Sequence, residues 1–444
     1  MTTEDLVEKA KKPGRDALRL HPFYRGKVQT APRCAVRSFN DFAIWYSPGV
    51  AEPCLAIQKN RDLAYEYTWK SNTIAVVSDG TRVLGLGNIG PEAGLPVMEG
   101  KALLFKYLGG VDAVPICLAT RDPEEIISAV KWIQPSFGGI NLEDIEQPKC
   151  FDILDRLRAE CEIPVWHDDQ QGTAAVILAA FINALKLVGK DIGSVKVAMV
   201  GAGAANVRTV KLLVAAGVDP GKIIMCDSRG TLHRGRHDLE GAPGPKWEMC
   251  KTTNAEGVTG GIAEAMAGAD AVIGCSQPGP DVILPEWIRG MASDPIVFAC
   301  ANPVPEIWPW DAKQAGAAVV ATGRSDFPNQ ANNSLGFPAI FRGTLDVRAR
   351  GITDEMCIAA AQELARCAEE KGLSADYIIP TMDEWEVYPR EAAAVGAMAV
   401  KQGIARITLS WDELVAKASS AIKQARDLTA LMMKEGFIPQ APEE

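Results

Sequence analysis

Four acidic residues stand in two adjacent pairs, Glu143-Asp144 and Asp168-Asp169. Each pair closes a short apolar run, GGINLED (138–144) and IPVWHDD (163–169). Such runs read as parallel strands, and open α/β sheets place their ligands at the carboxyl ends of the strands. Four carboxylates there repel one another unless a cation or a lysine intervenes. All-oxygen ligation suits Mg²⁺ or Mn²⁺ rather than zinc. The alternative is plain helix capping by Asp168 or Asp169 ahead of a helix near Gly172. Arg82 and Lys101 are the cations of the run SDGTRVLGLGNIGPEAGLPVMEGK (78–101). Lys101 beside buried carboxylates is a candidate base if its pKa is lowered; otherwise both are surface cations on a loop. Each helical glycine costs about 1 kcal/mol relative to alanine, so the run is not expected to form a packed helix interior. Gly85, Gly87, Gly90, Gly94 and Gly100 would instead admit a close backbone approach.

A second constellation is Gly201-Ala-Gly203-Ala204-Ala205-Asn206, after the apolar run VKVAMV and at the start of a helical pattern. In that context Gly201 permits a tight turn. Gly203 lets the backbone approach a pyrophosphate held at the helix N-terminus, beside Ala204 and Ala205. Asn206 stands where a third glycine would ease helix–strand packing. The acid expected about 20 residues on is Asp227, suited to the ribose hydroxyls of NAD. Arg229 could instead receive the 2′-phosphate of NADP, so the choice between the two cofactors stays open.

Weaker signals complete the set. Tyr46 in WYSPGV (45–50) is a candidate general acid or a partly buried aromatic. Asn302, closing PIVFACAN, and Asn333, in NQANNSLGF, could orient a carboxylate or merely form turns. Ser276 in GCSQPG lacks the flanks and histidine partner of a hydrolase elbow. His233 and His237 lie four apart in a Gly/Pro-rich loop and make a poor metal pair. His167 reads as a hydrogen-bonded structural residue.

The elements needed to position these groups are legible. Candidate strands at 73–80, 111–118, 138–144 and 163–169 alternate with helical patterns such as 122–133, which Asp122 can cap. A long helix at about 172–189 bridges to a second alternating unit. Its strands fall at 195–200, 222–228, 270–276, 295–302 and 317–323, with a helix at 205–216. Segment 229–256 reads as a surface excursion. Helical patterns at 354–370, 388–403 and 411–436 close the chain, and the first 30 residues form a charged helical arm.

The whole has 444 residues, 47% hydrophobic and 23% charged, with net charge −10. That is a folded globular composition of two or three domains, without the basic footprint of a nucleic-acid binder. The most apolar stretch, Thr173 to Val188, is interrupted by Asn183 and Lys186, so it is expected to be a buried helix and not a membrane span. The N-terminus lacks the apolar core of a signal peptide. The 11 cysteines include no C-x-x-C pair, which suggests reduced thiols and a cytoplasmic setting.

Together the motifs resemble the malic enzymes in their compact prokaryotic form. The likeness runs through residues 40–345 in order: WYSPGVAEPC, SDGTRVLGLGNIGPEAGLPVMEGKALLFK, FGGINLEDI, IPVWHDDQQGTA, GAGAA, GCSQPG, FACANPVPE and NQANN followed by FP. The resemblance implies oxidative decarboxylation of L-malate to pyruvate and CO₂ with NAD or NADP and Mg²⁺ or Mn²⁺. Carried over by position, Glu143, Asp144 and Asp169 are the metal ligands. Lys101 is the base, Asp168 its holder, and Tyr46 the acid that protonates C3. Arg82, Asn302 and Asn333 meet the substrate. Gly201, Gly203, Ala204, Ala205, Asp227, Arg229, Ser276 and Asn302 meet the dinucleotide. Gln171, where many bacterial members have histidine, and Arg82 look more like the eukaryotic pattern. A malolactic enzyme and a non-catalytic cofactor-binding protein are the rivals. The implied organisation is α/β: an N-terminal catalytic domain with a small parallel sheet (1–189), a Rossmann-type NAD(P)-binding domain (190–408) and a helical tail (409–444). The partners implied are a small-molecule substrate and a second copy in a homodimer, with no nucleic acid and no membrane.

Overall fold

The computed structural model describes residues 3–324 and 326–442. Two sheets organise it. The first contains β1 (Thr73–Ser78), β2 (Asp112–Cys117), β3 (Gly139–Leu142) and β4 (Val165–His167), all parallel, in the order β2-β1-β3-β4. The second contains β5 (Val197–Val200), β6 (Ile223–Asp227), β7 (Gly230–Thr231), β8 (Ala271–Gly274), β9 (Ile296–Ala299) and β10 (Val319–Thr322), in the order β10-β9-β8-β5-β6-β7. Within it β7 pairs antiparallel with β6, and the other pairings are parallel. The strands are near-continuous apolar runs because helices cover both faces of a parallel sheet. The crossover helix Pro123–Ile133 starts where proposed: the Asp122 carboxylate accepts the Glu124 N–H at 2.8 Å, and Pro123 takes the first helical position.

The helix Thr173–Val188 ends at Gly189, whose φ of 67° lies in the left-handed region. It joins the two halves physically. Ala174 to Phe181 are buried in one core with Ile74 and Val76 of the first sheet and with Val197, Met199, Ile273 and Phe298 of the second. By length and composition the stretch Asp168–Val188 could cross a membrane, but 72% of it is buried inside the protein, as a core helix should be.

Helices that follow the second sheet return to the first. The helices Phe337–Asp346 and Trp411–Lys434 pack on the helix Pro91–Gly109. Phe105 meets Phe337 at 4.6 Å and Phe341 at 5.3 Å between ring centroids. A Cβ at Gly109 would stand 2.6 Å from the Pro338 carbonyl oxygen, so only glycine permits this approach.

Two expectations are corrected. The glycine-dense run is loop only as far as Gly90. From Pro91 it forms the first turns of the helix Pro91–Gly109, with Gly94 and Lys101 buried. Packing against β1 and β2 outweighs the propensity cost of its glycines, a tertiary override. Segment 229–256 is not merely a surface excursion. It contributes β7 and the helix Lys246–Thr252, and Leu232, Met249 and Cys250 are buried. Anchors set singly among Gly and Pro give no periodicity to read.

The N-terminal segment is the most open part. After the helix Thr3–Tyr24 come the short helices Asp41–Trp45 and Ala51–Lys59; Phe42, Ile44 and Trp45 on the first, and Phe39 just before it, are exposed. All eleven cysteines are free thiols.

Candidate functional site

The two acidic pairs end β3 and β4, which are neighbours in the first sheet, and so come together. Asp168 to Gly172 form a single π-helical turn between β4 and the helix Thr173–Val188. Wide turns of this kind frequently mark functional sites. This turn splits the pair: Asp168 is fully buried, while Asp169 remains partly exposed and receives the Asp144 N–H at 2.9 Å. Asp144 sits at φ 55°, a left-handed conformation held by its neighbours and uncommon for a residue with a side chain. Arg82 N–H donates to the Asp144 carbonyl at 2.9 Å, which ties the 78–90 loop to the cluster, while the Arg82 side chain is exposed.

Glu143, Asp144 and Asp169 each place a carboxylate oxygen within 4.8 Å of the others. One Asp144 oxygen is buried with no hydrogen-bond partner. An unpaired buried carboxylate is costly, and a hard divalent cation among these three oxygens would remove the cost. Burial pushes Glu143 and Asp144 well above the usual carboxylate range, and Asp169 pushes both in the same direction. The residues therefore fit Mg²⁺ or Mn²⁺.

Lys101 closes the cluster. Its ammonium lies 2.6 Å from Asp168 and 3.1 Å from Glu143, and 4.3 Å above the centre of the Phe337 ring. Asp168 also receives the Trp166 indole N–H at 3.2 Å. The condition set from sequence, a lowered lysine pKa, is not met in this state. Burial does act to lower it, but the Asp168 and Glu143 carboxylates outweigh burial and hold the ammonium above the ordinary lysine range. His167 departs from its expected role as well. It is fully buried, but neither ring nitrogen has a hydrogen-bond partner, and Asp169 Oδ2 stands 3.7 Å from Nδ1.

The glycine loop of the second sheet occupies its switch point, where β5 lies between β6 and β8. Gly201, at φ 98°, turns tightly against the next strand end: a Cβ there would stand 2.8 Å from the Cys275 carbonyl oxygen and 3.1 Å from Ser276 Cβ. A Cβ at Gly203 would meet nothing within 4 Å, so open space lies before the first turn of the helix Ala204–Ala215. The first N–H groups of a helix lack intrahelical partners, so this space fits a pyrophosphate. Asn206 adapts the motif in its own way. Its buried amide donates to the Val200 and Gly201 carbonyls at 2.8 and 2.9 Å, bracing the turn that a third glycine would leave to close packing.

Asp227 stands at the end of β6, but not alone. Arg236 grips both its oxygens at 3.1 Å, Lys246 lies 3.4 Å away, and the Arg229 backbone N–H donates at 2.9 Å. The exposed Arg229 side chain turns instead to Asp238 at 3.3 Å. Arg236 and Lys246 were missed because they lie in the segment read as an excursion.

The two sheets face each other across these loops. A Cβ at Gly85 would stand 2.6 Å from the Asn302 carbonyl oxygen, so the first-sheet loop touches the loop after β9. Gly172 lies between Asp168 and Asn333: a Cβ there would meet Asp168 Oδ1 at 1.9 Å and Asn333 Cβ at 3.3 Å. Asn302 and Asn333 thus border the cleft. Tyr46 does not join the buried cluster; it is 75% exposed on the N-terminal segment. Asn141, which donates to Glu143 at 2.8 Å, and Trp166 are further supporting residues. A polar residue inside an apolar strand was the one signal for Asn141.

Comparison with known proteins agrees with this geometry. Residues 25–158 match the family model "Malic enzyme, N-terminal domain", and residues 170–402 match "Malic enzyme, NAD binding domain". The chain is 51% identical over 402 residues to the bifunctional malic/malolactic enzyme of Bacillus subtilis (strain 168), covering 90% of this chain and 97% of that one. It is 50% identical over 382 residues to the NAD-dependent malic enzyme of Geobacillus stearothermophilus, covering 86% of this chain and 78% of that one. Other relatives are named NADP-dependent malic enzymes. The crystal structure of Entamoeba histolytica malic enzyme superposes with a TM-score of 0.96 at 50% identity, covering 100% of this chain and 93% of that one.

Proposed function

The chain belongs to the malic enzyme family, NAD(P)-dependent oxidoreductases, and we propose that it oxidises and decarboxylates L-malate to pyruvate and CO₂ with Mg²⁺ or Mn²⁺. The observation that carries this reading is the buried Lys101 set against Asp168 and beside three converging carboxylates. Glu143, Asp144 and Asp169 would hold the cation. When bound, the cation would supply Lewis-acid polarisation of the substrate, and the dinucleotide would supply the hydride acceptor for the C2 hydrogen.

Lys101 receives the proton of the C2 hydroxyl. It can do so only as the free amine, and the two carboxylates facing it decide that charge. Were Glu143 to ligate the cation, its charge would no longer hold the ammonium, and Asp168 would be left to orient and tune the amine. Arg82, Asn302 and Asn333 would align the substrate carboxylates across the cleft. Gly201, Gly203, Ala204 and Ala205 would cradle the pyrophosphate, with Ser276 and Asn302 toward the reacting end and Asp227 and Arg229 at the adenosine ribose.

Tyr46 would return a proton to C3 after CO₂ departs. Its segment carries the exposed side chains Phe39, Phe42, Ile44 and Trp45. We read that apolar face as the contact of a homodimer, which would press the segment, and Tyr46 with it, onto a cleft.

Assaying L-malate with Mn²⁺ and each dinucleotide, with pyruvate quantified, tests the reading. The name of the Bacillus subtilis relative favours one further possibility, a malolactic output. Lactate accumulating without net reduced cofactor would support that second reading.

A further inference from the structure

Glu306 lies within FACANPVPE, after β9, and none of the roles above uses it. Its side chain is fully buried. One carboxylate oxygen receives the Ser276 backbone N–H at 2.8 Å and the Ser276 hydroxyl at 2.9 Å. The other receives the Ala301 N–H at 2.9 Å. The first two donors belong to the loop after β8 and the third to the loop after β9. The carboxylate therefore bridges the two loops that carry Ser276 and Asn302 at the mouth of the dinucleotide crevice.

The fit is close. A Cβ at Gly274, the last residue of β8, would stand 2.8 Å from the Glu306 carboxyl carbon, so glycine there makes room for the bridge. No lysine, arginine or histidine pairs with Glu306 among the described residues. Hydrogen bonds from Ala301, Ser276 and its own backbone N–H act against burial, which still pushes its carboxyl above the ordinary range. A buried polar group satisfied this completely rigidifies the backbone it binds. The Ser276 backbone also lies against the Gly201 turn, so displacing one loop displaces the other.

We propose that Glu306 is a positioning residue for the dinucleotide, joining the loops after β8 and β9 so that the crevice is preformed. The proposal rests on the dinucleotide reading above. Glu306→Gln keeps the shape but turns an amide donor toward a backbone or hydroxyl donor, and so breaks one end of the bridge. Glu306→Asp keeps the charge but is one methylene short of spanning both loops.

The test is titration of the purified protein with NADH and NADPH, followed by nucleotide fluorescence, with Mn²⁺ binding measured by calorimetry on the same samples. The expected result is dinucleotide affinity weakened about tenfold in Glu306→Gln and less in Glu306→Asp. Mn²⁺ affinity should be unchanged, because those carboxylates belong to the other sheet. A folded Glu306→Gln protein that binds the dinucleotide as wild type does would overturn the proposal. So would equal losses of dinucleotide and Mn²⁺ affinity. If Glu306→Gln does not fold, Glu306→Asp decides, and wild-type affinity in it overturns the bridge. A wild-type protein that binds neither dinucleotide would instead count against the underlying reading.

Discussion

Replacing Lys101 by alanine removes the proposed proton acceptor from a site where, among the described residues, no other amine faces Asp168. Turnover should fall by about a thousandfold, in the range of general acid–base contributions, while dinucleotide affinity stays near wild type. Steady-state kinetics beside a fluorescence titration would separate the two. Arg236 makes a different prediction. It neutralises Asp227, the residue that would otherwise repel a 2′-phosphate. Arg236→Ala should therefore lower kcat/KM for NADP relative to NAD by about tenfold, read as the ratio of the two cofactors in one assay. The same pair has a signature in acid. Burial acts to raise the Asp227 pKa, but hydrogen bonds from Arg236 and from the Arg229 N–H hold it below the ordinary 3.8. Its contribution is present above that unfolded value and is lost as pH falls through the depressed folded one. The urea-midpoint gap between wild type and Arg236→Met should be full at neutral pH and close only in strong acid. Of these residues, the acids were legible because rare charges closed apolar runs, and Lys101 because it is one of two cations in a glycine-dense run. Arg236 was not, because its partner lies nine positions away through a turn with no periodic signature.

At the scale of elements, the π-helical turn Asp168–Gly172 does the positioning, and Gly172 is its sensitive point. An alanine Cβ would fall 1.9 Å from Asp168 Oδ1, so Asp168 must leave Lys101 or the turn must open. Gly172→Ala should lower kcat by about a hundredfold, because small displacements of a reacting group are costly. Crystallography of that variant would show the Lys101–Asp168 contact lengthened from 2.6 Å. The parallel strands and the crossover helix Pro123–Ile133 were readable, since near-continuous apolar runs bounded by caps and glycines have few alternatives. The helix Pro91–Gly109 was not read as a helix. Its glycines and Pro96 argue locally against helix, and only packing on β1, β2 and Phe337 settles the matter. A local reading has no access to that term.

For the whole molecule, the helix Thr173–Val188 binds both sheets into one core, so the cleft between them depends on packing far from any reacting atom. Truncating Phe105 to alanine, beneath the returning helices, should destabilise the fold by about 3–5 kcal/mol, measured by denaturant titration. The exposed face Phe39–Trp45 belongs to the same scale. Phe39→Asp combined with Trp45→Glu should shift the sedimentation coefficient from dimer to monomer and lower activity, since Tyr46 rides on that segment. A dimer coefficient unchanged by the substitutions would contradict this face as the contact, and a monomer coefficient in the wild type would contradict the dimer reading itself. Nothing in the sequence pattern marked this face, because exposed and buried aromatics look alike until the chain is folded.

The most direct single measurement follows reduced-nicotinamide absorbance from L-malate and Mn²⁺, with NAD and NADP in parallel and pyruvate quantified in the same samples. The account predicts reduced cofactor and pyruvate in equal amounts, abolished by chelating the metal and by Lys101→Ala. Reduced cofactor without pyruvate, or turnover indifferent to both metal removal and Lys101→Ala, would contradict it.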